Sequence, residues 1–83
     1  MTNEQIEKFI SGDKVTKNTV RIHFKTRNSI VGIFIQMQDY NELKSKNFWR
    51  IVPESNIETW KKSQDTNLAR IFNGVEITKL TAV

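Results

Sequence analysis

Hydrophobic and polar positions change period several times along the chain, and each change marks an element. Ile6, Phe9 and Ile10 recur at i, i+3 and i+4, which makes one apolar stripe on a helix. Thr2 followed three residues later by Gln5 has the form of a capping box, in which hydroxyl and amide satisfy orphan backbone donors reciprocally. Gly12 suits the left-handed residue that closes a helix, so the pattern predicts a helix from about Asn3 to Ser11. From Val20 the period drops to two. Val20, Ile22 and Phe24 alternate with Arg21, His23 and Lys25, the mark of a half-buried strand. Thr26-Arg27-Asn28-Ser29 supplies turn chemistry, and Ile30 to Met37 returns as the second strand of a hairpin. There Val31, Ile33, Ile35 and Met37 share one face while Ile30 and Phe34 take the other, so cover on both sides is expected. Gly32 inside that run predicts a bend or a close backbone approach.

A polar connection follows from Asp39 to about Asn47, and Phe48 to Val52 reads as a third strand, ended by Pro53 for lack of a backbone donor. Ser55 with Glu58 three residues on forms a second capping-box pattern. It opens a short helix to about Ser63 that turns Ile57 and Trp60 the same way. Asp65-Thr66-Asn67 is a loop. Leu68–Phe72 and Val75–Leu80 then flank Asn73-Gly74, the pair that most favours a two-residue hairpin turn. The elements predict a mostly β, α+β fold: a five-stranded antiparallel small barrel, with an N-terminal helix and a short helix between strands 3 and 4. Closure is preferred to an open five-stranded sheet with both helices on one face, because it removes exposed edges. Residues 1–83 form a single domain, since the length leaves no room for a second core.

Composition narrows the chemistry. There is no cysteine, which excludes disulfides and thiolate sites, and a single histidine argues against a histidine metal cage. His23, the natural base near neutral pH, falls on the outward side of a strand beside no fixed acid partner. Three scattered glycines cannot make a phosphate loop. No enzyme activity and no cofactor are expected. The polar, acidic start is unlike a secretory signal, and the longest apolar run, Ile30 to Ile35, falls short of the roughly 20 residues of a membrane helix. The expectation is a cytoplasmic protein with no membrane contact.

Thirteen Lys and Arg against nine Asp and Glu leave a net charge of +4. The pI near 9.6 leans towards anionic partners. Arg21, Lys25 and Arg27 share the first hairpin with His23, Lys44, Lys46 and Arg50 surround the third strand, and Lys61, Lys62 and Arg70 come later. A groove of such charges with aromatic platforms suits single-stranded nucleic acid. Tyr40, in a polar loop, is the most available aromatic residue; Trp60 reads as core, and either Phe48 or Trp49 faces inward.

The helix-then-five-strands arrangement resembles the Sm-like fold, which includes bacterial Hfq. Val20 to Leu43 is similar to that family's first motif, with Gly32 in the second strand followed by Asp39-Tyr40-Asn41. Ile71-Phe72-Asn73-Gly74-Val75 is similar to its glycine-containing turn between the last two strands, with Phe72-Asn73 where a basic residue is usual. The resemblance implies a base-binding site at Asp39, Asn41, Asn73 and Gly74. The candidate nucleic-acid-binding residues are therefore Arg21, Lys25, Arg27, Asp39, Tyr40, Asn41, Asn73 and Gly74, with single-stranded RNA or DNA as partner. The competing expectation is a protein-interaction or homo-oligomeric assembly module, using Phe34, Phe48 or Trp49, and Phe72 as its apolar surface.

Overall fold

The computed structural model describes residues 1–11 and 19–83, so the helix-closing role expected of Gly12 lies outside the described residues. The first helix, α1 (Asn3–Ile10), begins where the capping box predicts. Gln5 N donates to Thr2 Oγ1 at 3.2 Å, and Thr2 N donates to Gln5 Oε1 at 3.0 Å. Strands β1 (Val20–Phe24) and β2 (Ile30–Phe34) form the expected hairpin, with Val20 opposite Gly32 and Ile22 opposite Ile30.

A helix absent from the sequence reading follows: α2 (Tyr40–Ser45). It buries no residue, so it carries no apolar stripe to announce itself. Tertiary bonds hold it. Asn3 Nδ2 donates to Lys44 O at 3.1 Å, and the Lys44 ammonium meets Glu7 at 2.7 Å. Asn47 then takes a left-handed φ of 61°, which asparagine tolerates, and turns the chain into β3 (Phe48–Pro53).

Helix α3 (Glu54–Ser63) starts one residue earlier than expected, and the Ser55–Glu58 capping box does not form. Pro53 ends β3 and serves as the cap at φ −62°, so the chain turns straight from strand into helix and Ser55 falls inside the first turn. Gln64, left-handed at φ 56°, closes the helix. After a 3₁₀ turn at Thr66–Leu68 come β4 (Arg70–Asn73), a second 3₁₀ turn at Gly74–Glu76, and β5 (Ile77–Ala82).

The predicted Asn73-Gly74 hairpin is corrected by the sheet order, β4-β3-β2-β1-β5, antiparallel throughout. Strands β4 and β5 lie on opposite edges and pair with β3 and β1, not with each other. A type I′ turn needs positive φ at both central residues, and neither Asn73 nor Gly74 has it. Asn73 Oδ1 instead accepts from Val75 N at 3.0 Å, and Gly74 N donates to Asn47 O at 2.7 Å. The sheet is therefore open, not closed into a barrel. It is nevertheless strongly curled. The Phe24 and Phe72 rings, on strands three places apart, have centroids 5.5 Å apart, whereas such strands in a flat sheet stand about 14 Å apart.

Neighbouring residues of β3 divide the core. Ile51 joins Ile6, Ile10, Val20, Ile22, Trp49, Phe72, Ile77 and Leu80 under α1, while Val52 joins Ile35 and Ile57 under α3. Successive strand residues face opposite sides, so the two helices cover opposite faces of the sheet, unlike the one-sided open alternative. The two-sided cover expected of Ile30 to Met37 follows from this. Trp49 is the inward member of the Phe48–Trp49 pair, only 2% exposed.

Gly32 marks a close approach. A Cβ there would lie 2.6 Å from Val52 O and 2.8 Å from Ile51 Cγ2, both on the adjacent strand. Gly32→Ala is expected to cost about 1–3 kcal/mol through forced separation of β2 and β3. Urea unfolding measures this as a lower midpoint at unchanged slope; an unchanged midpoint would show that the strands part freely.

Candidate functional site

The curl of the sheet builds a small pocket. Phe24 ends β1 against the core, and the turn that follows brings Arg27 back over it. The guanidinium carbon lies 5.2 Å from the Phe24 ring centroid and 5.6 Å from that of Phe72, within cation–π range of both. Among the described residues no ion pair engages Arg27. These three side chains, with Thr26, Ile71, Asn73 and Glu76, line a cavity of about 320 Å³. Because Asn73 Oδ1 is taken by Val75 N–H, its amide nitrogen is the group left to offer a ligand. Glu76 O accepts from Lys25 N at 3.0 Å, which ties the end of β1 to this turn through backbone alone.

The eight sequence-predicted residues do not converge on one place. Arg27 and Asn73, 46 positions apart, meet in the pocket. Arg21 alternates with buried Val20 and Ile22 and so points from the other face, opposite Val31 and Thr81. Lys25 lies beside Lys46 and Asn47 in a separate shallow depression near Met1. The three hairpin cations thus do not share one surface. Asp39 pairs with Arg50 at 2.8 Å, and its other carboxylate oxygen is buried without a partner among the described residues. Asn41 is exposed on α2. Gly74 is buried against Asn47.

Tyr40 is not an available loop aromatic. It opens α2 and packs edge-on against Trp49, with centroids 6.1 Å apart. Burial first, then the Glu7 charge, raise its pKa above the ordinary 10.0, against the opposing pull of Lys44. The hydrogen bond to Glu7 raises Lys44 above its ordinary 10.5. Both raised values stabilise the protonated forms of the folded state, a contribution complete at neutral pH and lost only as strong alkali titrates them. This cluster clamps α1 to α2 and does not act as an acid or base near pH 7.

Phe72, expected on an apolar partner surface, belongs to the core, as does Trp49. The large apolar side chains that stand in solvent are Ile71, Val75 and Val83 among the described residues, Ile71 at 52%. Sequence reasoning missed Phe24, Phe72 and Glu76 as pocket residues, because only the curl brings β1 to β4. A wider apolar groove of about 600 Å³ lies beside α3, lined by Phe34, Ile35, Met37, Trp60 and Lys61 among others. Among the described residues no group of three His, Asp or Glu could hold a metal ion, and no helix is long and apolar enough to cross a membrane. No protein-family model, curated protein or solved structure matches the chain.

Proposed function

We propose that this chain is a non-catalytic, Sm-like domain, its open sheet curled towards a barrel, that binds single-stranded nucleic acid, seating one base against Arg27 in the Phe24–Phe72–Asn73 pocket. The observation that carries the reading is Arg27 itself, a guanidinium with no ion pair among the described residues, within cation–π range of two aromatic rings in the lining of a cavity of about 320 Å³. A base stacks on such a plane while the charge attracts the neighbouring phosphate. The curled sheet behind an N-terminal helix supports the Sm-like part. Arg21, Lys25, Arg70 and Lys79 make no ion pair among the described residues and sit on or beside β1, β4 and β5. Lys44, Lys46, Arg50 and Lys62 are neutralised by acids.

The test is fluorescence anisotropy with a labelled single strand, titrated at rising salt. Affinity falls steeply as salt rises, because phosphate contacts release counterions. Arg27→Ala weakens binding by roughly tenfold or more, the worth of one stacked base. Absence of saturable binding at low salt overturns the proposal, as does equal displacement by heparin and by unlabelled strand.

A second reading, a protein-interaction or homo-oligomeric assembly module, is favoured by the outer edges of β4 and β5, unpaired among the described residues, and by exposed Ile71 on β4. Light scattering that gives a fixed multiple of 9.7 kDa, with no nucleic-acid affinity, would place it first.

A further inference from the structure

We infer that the Arg27 pocket selects guanine, an inference that rests on the nucleic-acid reading above. The pocket joins three groups of different hydrogen-bonding character. Arg27 offers only donors, and the Asn73 amide is left as a donor because its oxygen is occupied by Val75 N–H. Glu76, also in the lining, is an acceptor with two oxygens and no ion-pair partner among the described residues. A base stacked on Arg27 that satisfies the other two must present an acceptor to the amide and donors to the carboxylate.

Guanine alone of the four bases presents an acceptor beside two donors on one edge. Stacked on the Arg27 plane, it offers O6 to the Asn73 amide. Its N1–H and N2–H₂ match the two oxygens of a carboxylate. Adenine and cytosine bring one amino group to a carboxylate, and uracil one ring N–H, so each makes one hydrogen bond to Glu76 where guanine makes two. The Glu76 charge also repels phosphate, so the base and not the backbone is the part of a strand that can enter.

The experiment compares short uridine strands in which alternate positions are guanine, adenine, cytosine or inosine, against the parent protein and Glu76→Gln. The parent binds the guanine strand about tenfold more tightly than the adenine or cytosine strand. Inosine, which lacks the N2 amino group, loses most of that preference. Glu76→Gln abolishes the guanine preference, since an amide replaces one acceptor by a donor. Glu76 is exposed and its backbone bond to Lys25 survives the change, so the fold is retained, as circular dichroism checks. Equal affinity for all strands, or a guanine preference that persists in Glu76→Gln, overturns the inference and leaves nucleic-acid binding standing. A uniform tightening of every strand in Glu76→Gln that keeps the guanine preference also overturns it, by showing that the carboxylate acts as a charge alone. Absence of binding to any strand overturns both.

Discussion

Trp49→Ala is expected to lower the folding free energy by about 3–5 kcal/mol. Trp49 is 2% exposed in the inner core and packs edge-on against Phe34 and Tyr40, with centroids 6.1 Å away in each case. Its Nε1 also donates to Asn47 Oδ1 at 2.8 Å, so the truncation opens a cavity and orphans an acceptor together. A chain of 83 residues has a total stability of about 4–12 kcal/mol, so the variant is marginal. Urea unfolding followed by circular dichroism measures the loss. Trp49→Phe retains a ring in the core but drops the Nε1 donor, and should lose about 1–3 kcal/mol. A Trp49→Ala loss under about 1 kcal/mol would mean that this side chain does not organise the core.

Gly74→Ala comes second, at about 2–3 kcal/mol. The added methyl would lie 2.6 Å from Asn47 Cγ and 2.8 Å from Asn47 Nδ2, with Oδ1 nearer still. A flexible side chain could step aside, but this one is pinned. Trp49 Nε1 holds its oxygen, and its nitrogen donates to Met1 O at 3.0 Å. The two sites should therefore couple. In an Asn47→Gly background, which keeps the left-handed backbone at φ 61°, Gly74→Ala should cost at least about 1 kcal/mol less. Strict additivity in that double-mutant cycle would show that the clash is relieved elsewhere.

These two predictions share one device: α2, the Asn47 turn, β3 and the turn after β4 are joined through a single asparagine. Nothing local announces it. Asn47 stands in a polar stretch, and its partners Met1, Trp49 and Gly74 span nearly the whole chain. The same lack of local signal explains why α2 is unreadable. None of its six residues is fully buried, only Tyr40 and Leu43 are apolar, and its anchors on Asn3 and Glu7 are contacts at long sequence separation.

Where a residue's role depends on its immediate neighbours, the reading is good. Thr2 and Gln5 cap α1 reciprocally, period two marks β1 and β2, and Gly32 lies against the adjacent backbone as a strand glycine implies. Asn73-Gly74 shows the limit of the same logic. The dipeptide does make a turn, with Asn73 capping it by its own side chain, but the turn is a 3₁₀ type that sends β5 across to β1. Turn chemistry specifies that the chain bends; packing of Ile77 and Leu80 into the inner core decides where it goes.

The candidate site divides along the same line. Arg27 and Asn73 are legible from the sequence as a cation and a turn amide, and so are the strands, the helix α1 and the absence of cysteine chemistry. That these two residues meet over Phe24 and Phe72, while Arg21 points from the opposite face and Lys25 lies apart, follows only from the curl of the sheet. Period and capping are set by bonds between residues a few positions apart, which any sequence displays. Convergence of charge is set by strand order and curvature, which emerge when two apolar faces are buried under two helices at once.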